Sequence, residues 1–79
     1  MITVYSKKYC PYCDQAKALL TLKGKEFTEV KIDEDAQARE FVLGQGHRTV
    51  PQIYRDGQLL VEGGFQGLRN LTEDRWAEL

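Results

Sequence analysis

The two cysteines of this 79-residue chain, Cys10 and Cys13, are separated by two residues, and this spacing constrains its fold and chemistry more than any other feature. A disulfide between them would close a loop too short to remove much entropy from the unfolded chain. Residues 2–5, just before the pair, are rich in strand-forming side chains, whereas Pro11 stands where helices favour proline, in the first turn. A Cys-x-x-Cys motif that follows a strand and opens a helix is typical of a redox-active pair.

The helix predicted after the pair gives the two cysteines different roles. The unpaired amides and the positive dipole end of a helix N-terminus favour a thiolate, and Lys7 and Lys8 add positive charge upstream. Thiols in such a setting ionise well below their usual pH of about 8.5. We therefore expect Cys10 to be exposed and to attack a substrate disulfide. Cys13, one turn farther in, should be covered and should resolve the mixed disulfide.

Three other interpretations of the pair stay open on the residues alone: a structural disulfide, a zinc site and two inert core cysteines. A zinc site needs four ligands, and His47 is the one obvious third ligand in the chain. We therefore expect no metal. We expect His47 to be a loop histidine without a catalytic role.

The rest of the sequence predicts an α/β chain with the order β-α-β-α-β-β-α. Strands are predicted at residues 2–5, 27–32, 52–55 and 58–61, and the turn Asp56-Gly57 joins the last two as a hairpin. Helices are predicted from residue 11 to about 23, from a cap at 33–35 to about 43, and over 66–78 with Leu68, Leu71 and Trp76 buried. A right-handed crossover makes the first two strands parallel, and the hairpin adds an antiparallel edge. We expect a single domain over residues 1–79, a four-stranded mixed sheet flanked by helices in the thioredoxin-like architecture.

Composition and charge exclude several functional classes. The formal net charge of −1 provides no general attraction to nucleic acid or to a membrane surface. No run approaches the roughly 18 apolar residues that a membrane span needs. Residues 1–8 are too few and too polar for a signal peptide, so we expect a cytoplasmic protein, and we expect it to be a monomer.

Two motifs resemble those of the dithiol glutaredoxins. Cys10-Pro11-Tyr12-Cys13 resembles their active-site motif, and Thr49-Val50-Pro51-Gln52-Ile53 resembles their second motif. Asp56-Gly57 followed by Gly63-Gly64 is similar to their third region, so the resemblance covers about residues 2–71. It implies a glutathione-dependent thiol–disulfide oxidoreductase that reduces protein disulfides and glutathione mixed disulfides. Glutathione would be its co-substrate, with no tightly bound cofactor.

The resemblance also implies roles for individual residues. Cys10 would be the nucleophile and Cys13 the resolving thiol, while Pro11 and Tyr12 shape the turn between them. Pro51 would follow a cis peptide bond that holds the Val50 backbone beside Cys10. The residues implied to contact glutathione are Lys7, Tyr12, Arg39, Thr49, Val50 and Gln66.

One stretch departs from the glutaredoxin pattern. Such glutaredoxins carry an acidic pair after the Gly-Gly step, whereas residues 63–67 contain no carboxylate and Glu62 lies just before them. Residues 33–40 and the Gly64-Phe65 step resemble the glutaredoxin-like hydrogen donors of ribonucleotide reductase, which thioredoxin reductase reduces. A redoxin coupled to thioredoxin reductase is therefore the main alternative, and ribonucleotide reductase is the partner expected first. A glutathione-ligated [2Fe–2S] carrier is a further alternative, against which Pro11 argues by stiffening the turn.

Overall fold

The structure, a computed structural model, describes residues 1–79 and confirms the predicted thioredoxin-like α/β architecture. The sheet order is β2-β1-β3-β4, with β1 parallel to β2 and antiparallel to β3, and with β4 antiparallel to β3. The elements in chain order are β1 (Ile2–Ser6), α1 (Pro11–Leu22), β2 (Phe27–Lys31), α2 (Ala36–Gly44), β3 (Gln52–Arg55), β4 (Gln58–Leu59), α3 (Phe65–Arg69) and α4 (Glu73–Glu78).

The sheet has packed side chains on both faces because successive strand residues point to opposite sides. One face forms the main hydrophobic core with α1, α3 and α4; its buried members are Ile2, Val4, Ala16, Leu20, Ile53, Leu68 and Trp76. On the other face, the rings of Tyr5 and Tyr54 pack against Phe41 of α2, with centroid distances of 5.6 and 5.3 Å. The sheet is therefore flanked by helices as predicted, and β1 lies in its interior.

The single C-terminal helix predicted over residues 66–78 is wrong, because the chain forms two short helices there. Asn70 ends α3, and Thr72 begins α4 by accepting a hydrogen bond from the Arg75 amide at 3.3 Å. A threonine hydroxyl can accept a hydrogen bond from a free amide at the start of a helix, whereas threonine is less favourable in the interior of a helix. The break still leaves Leu68 and Trp76 buried, as predicted, whereas Leu71 is only partly buried. No helix of the structure is long and apolar enough to cross a membrane.

Each edge strand has a feature that the predicted strand bounds did not indicate. In β2 the charged Glu29 is partly covered, whereas its neighbour Thr28 is exposed. The Glu29 carboxylate accepts hydrogen bonds from Ser6 Oγ at 2.7 Å and from Lys17 Nζ at 2.8 Å, which compensate for its partial burial. The last strand, predicted over residues 58–61, is only two residues long.

Candidate active site

The cysteine pair lies at the start of α1, as the sequence predicts. Cys10 is the N-cap residue with an extended backbone (φ −118°, ψ 93°), and Pro11 occupies the first turn. The Cys13 amide donates a hydrogen bond to Cys10 Sγ at 3.2 Å. The two residues form a disulfide with their Cα atoms 5.2 Å apart. The reactive sulfur therefore faces a free helix-start amide, which stabilises negative charge on it.

The accessibility of the two cysteines differs from the prediction. Cys10 is only 9% exposed, so the expectation of an exposed nucleophile is wrong for this disulfide form. Its sulfur is turned towards Cys13 and lies 3.8 Å from the carbonyl oxygen of Val50, which covers it. Cys13 is 1% exposed, as expected for a covered residue. Cys10 remains the more accessible of the two.

The Val50-Pro51 segment lies beside the pair, and its peptide bond is cis. Gln52 Nε2 donates a hydrogen bond to the Thr49 carbonyl at 2.9 Å, which closes the turn around the proline. Gly64 packs on the other side of Pro51 with φ at +59°, and a Cβ there would stand 2.6 Å from the Pro51 carbonyl oxygen. The Gly-Gly step thus permits a close approach to the proline that no other residue allows.

A cavity of about 730 Å³ opens next to this segment. Four of the residues predicted to contact glutathione line it, namely Tyr12, Thr49, Val50 and Gln66. The Tyr12 ring stacks on Phe65 with centroids 6.2 Å apart, so it forms one wall of the cavity. Tyr12 is more than half exposed, which leaves this wall available to a ligand.

A smaller cavity of about 200 Å³ contains the other predicted contacts, Lys7 and Arg39. Arg48 also lines it, no carboxylate does, and none of these three cations forms a salt bridge. The two cavities share His47, Thr49 and Val50. An adjoining depression combines Lys7 and Arg39 with the carboxylates Asp33, Glu34, Asp35 and Glu40. The six predicted contacts therefore lie along one surface that passes Val50, with unpaired cations at one end.

Two further residues line this surface, and the sequence analysis assigned a role to neither. His47 lines both cavities, and its Nε2 lies 2.7 Å from the Tyr54 hydroxyl. Glu62 provides the one carboxylate in the lining of the larger cavity. His47 lies two residues before Thr49-Val50-Pro51, and Glu62 directly precedes Gly63-Gly64, so their position next to the motifs was the available signal.

The structure brings together no metal-binding cluster. No three His, Cys, Asp or Glu side chains are grouped as a bound metal ion would require. His47, the third ligand that a zinc site would have used, is hydrogen-bonded to Tyr54 instead.

A charged network lies where α1 crosses the sheet, away from the two cavities. Lys17 of α1 bonds to Glu29 of β2, and the buried hydroxyl of Ser6 donates to the same carboxylate oxygen. The Lys17 hydrogen bond, and then that of Ser6, lower the pKa of Glu29 below its ordinary value. The same bond to Glu29 raises the pKa of Lys17. Both groups therefore stay charged at neutral pH and tie α1 to the edge strand.

Comparison with known proteins assigns the chain to a family. A sequence model of the glutaredoxin family matches residues 2–60. Glutaredoxin 3 of Escherichia coli K12 is 48% identical over 58 residues, which cover 72% of this chain and 70% of the relative. The structure of wheat glutaredoxin superposes with a TM-score of 0.80 at 31% identity, covering 99% of this chain and 76% of the wheat chain.

A ligand-bound structure has the same fold. A buckwheat glutaredoxin–glutathione complex matches with a TM-score of 0.71 at 26% identity. The match covers 86% of this chain and 64% of the buckwheat chain, so the chain spans just under two thirds of that neighbour. Together with the cysteine pair at the start of α1, these findings show that the chain belongs to the glutaredoxin family and is a thiol–disulfide oxidoreductase with a redox-active pair, Cys10 and Cys13.

Proposed function

We propose that this glutaredoxin reduces glutathione mixed disulfides and protein disulfides with glutathione as its reductant. The observation that carries the proposal is the position of the Val50 carbonyl, 3.8 Å from Cys10 Sγ, between the two cavities. A peptide-like substrate that pairs with the Val50 backbone would bring its sulfur to Cys10. Such chemistry needs a reducing compartment, and we propose that the protein acts in the cytoplasm as a monomer.

The proposed reaction consists of thiol–disulfide exchanges that balance in electrons. The Cys10 thiolate attacks one sulfur of the substrate disulfide, and the other substrate sulfur leaves as a thiolate and takes up a proton. Cys13 then attacks Cys10, which releases the second substrate thiol and forms the Cys10–Cys13 disulfide. One glutathione opens this disulfide by bonding to Cys10, and a second glutathione removes the first as glutathione disulfide. Two electrons pass from two glutathione molecules to the substrate.

The proposed contacts divide glutathione between the two cavities. Lys7 and Arg39 lie in the cavity without carboxylates, where they suit a carboxylate of this anionic tripeptide. Tyr12 and Gln66 line the larger cavity, which would hold the other end. Thr49 and Val50 belong to both cavities and would hold the centre. No tightly bound cofactor is needed, because glutathione enters and leaves as a co-substrate.

The reaction of Cys13→Ser with glutathione disulfide tests this proposal. A glutathione adduct should form on Cys10, persist because its resolving thiol is gone, and disappear when free glutathione is added. Mass spectrometry of the intact protein detects the adduct, and mass spectrometry of its peptides identifies the modified cysteine. Cys10→Ser is the matched control and should form no adduct. An adduct on Cys13 of that control would show that Cys13 is the nucleophile and Cys10 the resolving thiol. If neither variant forms an adduct, glutathione is not part of the mechanism.

A second candidate is a redoxin that thioredoxin reductase reduces. The first turn of α3 contains no acidic residue, so the larger cavity lacks the carboxylate pair that the resemblance leads one to expect there. Turnover with NADPH and thioredoxin reductase, compared with turnover by glutathione and glutathione reductase, separates the two candidates. Ribonucleotide reductase is the protein substrate that we propose to assay first. Fast reduction by thioredoxin reductase with slow reduction by glutathione would favour this candidate.

A further inference from the structure

His47 connects the loop before Pro51 to the interior of the sheet. Its ring nitrogen Nε2 lies 2.7 Å from the Tyr54 hydroxyl, and the two rings meet edge to face at 5.8 Å. Its backbone amide donates to the Val42 carbonyl at 3.2 Å, at the end of α2. The residue is thus fixed through its side chain and its main chain, three residues before Val50.

Tyr54 is a rigid anchor for this contact. It is 4% exposed and lies in β3, paired with Thr3 of β1 in the middle of the sheet. Its ring also meets Tyr5 edge to face at 5.6 Å and Phe41 at 5.3 Å. Burial, and then Tyr5, raise the pKa of the Tyr54 hydroxyl, so it remains protonated at neutral pH. A phenol hydroxyl can donate to or accept from a histidine nitrogen, so this hydrogen bond can form with either tautomer of the His47 ring.

The segment between His47 and Pro51 has a second anchor at its other end. Gln52 Nε2 donates to the Thr49 carbonyl at 2.9 Å. The residues between the anchors, Arg48 to Val50, line the cavities on both sides of the Val50 carbonyl. Loss of the first anchor would free the segment on the side where Arg48 and Thr49 lie.

We propose that His47 is a positioning residue that acts through Tyr54. The His47–Tyr54 hydrogen bond fixes the start of the segment that presents Val50 to the substrate, and this inference rests on the proposed function. Because His47 is placed away from the reacting sulfurs in this scheme, its loss should weaken substrate binding more than the exchange step. We expect the KM for a glutathione mixed disulfide to rise about 3- to 10-fold, the effect typical of losing one hydrogen bond, with kcat changed less than about 2-fold.

Three variants isolate the hydrogen bond from ring packing. His47→Phe keeps an aromatic ring against Tyr54, and Tyr54→Phe keeps the buried ring without its hydroxyl. The double variant should raise the KM no more than either single variant, because both single changes break the same bond. His47→Gln retains a side chain that can bond to a hydroxyl and should recover part of the lost affinity.

Thr72→Ala is the matched control for stability. It removes the cap of α4, outside both cavities, and should lower the melting temperature without changing the KM. Amide hydrogen exchange at residue 47, whose amide donates to the Val42 carbonyl at 3.2 Å, provides a readout that needs no glutathione, and its protection should fall in His47→Phe and Tyr54→Phe but not in Thr72→Ala. Unchanged exchange, a KM effect equal to that of Thr72→Ala, or additive KM effects in the double variant would each overturn the inference. Absence of glutathione turnover in the unmodified protein would instead refute the proposed function and leave the exchange result to decide the anchoring.

Discussion

The amide of Cys13 donates a hydrogen bond to the sulfur of Cys10 at 3.2 Å, so the proposed nucleophile also caps the helix that begins at the active site. In an ordinary N-cap an oxygen accepts this bond. Here the acceptor is a sulfur, and it accepts more strongly as a thiolate than as a thiol. The local requirement of the helix and the chemical requirement of the reaction therefore favour the same ionised state of Cys10.

Alkylation of the reduced protein tests this relationship. We expect iodoacetamide to modify Cys10 at least about 10-fold faster than Cys13 at neutral pH, because Cys10 is the more accessible and the better stabilised as a thiolate. Peptide mapping by mass spectrometry after short exposures measures both rates. Equal rates, or faster modification of Cys13, would contradict the assigned roles.

The contact between Gly64 and Pro51 predicts a large difference between two similar glycine substitutions. A Cβ at Gly64 would stand 2.6 Å from the Pro51 carbonyl oxygen, whereas a Cβ at Gly24 would meet no atom within 4 Å. Both glycines have positive φ, which disfavours alanine at either position, and the ψ of −124° places Gly64 outside the left-handed helical region as well. We expect Gly64→Ala to lower the free energy of unfolding by more than Gly24→Ala, and to reduce disulfide turnover as Pro51 shifts.

Denaturant unfolding and a disulfide-reduction assay on both variants provide the measurements. Gly24→Ala is the control for the cost of a positive φ, since Gly24 follows the end of α1 away from both cavities. Equal destabilisation of the two variants, with turnover retained in both, would show that the Gly64–Pro51 contact does not position the proline.

The features that could be predicted from the sequence are those determined by residues close together in the chain. The strand before Cys10 and the proline after it are local signals, and they locate the helix start correctly. The break at Thr72 could not be predicted from helical periodicity, because Leu68 and Trp76 are spaced as they would be in one continuous helix. The Glu29 network and the His47–Tyr54 bond depend on neighbours that only the folded sheet brings together.

The Glu29 network predicts a specific dependence of stability on pH. Because the pKa of Glu29 is lowered in the folded protein, its contribution is present above the ordinary value of 4.5 and is lost as the pH falls through the folded value. The raised pKa of Lys17, the partner of Glu29, affects the alkaline range. The contribution of this ion pair to stability is lost there only above the ordinary lysine value of 10.5. We expect Glu29→Gln to lower the free energy of unfolding by about 1–2 kcal/mol at neutral pH, and by less in acid.

Glu34→Gln is the matched control for this prediction. Glu34 lies 3.9 Å from Lys31 in a pair that is exposed on both sides, so its removal should change stability by less than about 0.5 kcal/mol. Urea unfolding at several pH values between neutral and strongly acidic measures both variants. A Glu29→Gln profile that runs parallel to that of the unmodified protein through the acid range would contradict the assignment.

The two adjacent lysines before the active site provide the sharpest test of the smaller cavity, where the unpaired cations lie. Lys7 lines that cavity, whereas Lys8 lines none of the cavities and uses its backbone amide to bond to Asp33 at 3.2 Å. We expect Lys7→Gln to raise the KM for a glutathione mixed disulfide about 3- to 10-fold, through the loss of a charge-assisted contact, and Lys8→Gln to change it less than about 2-fold. The Lys7 effect should shrink at high salt, because exposed charges are screened. Steady-state kinetics of both variants at low and high salt measure this difference. Equal effects of the two substitutions would indicate a general attraction of the surface for anions instead of a defined contact at Lys7.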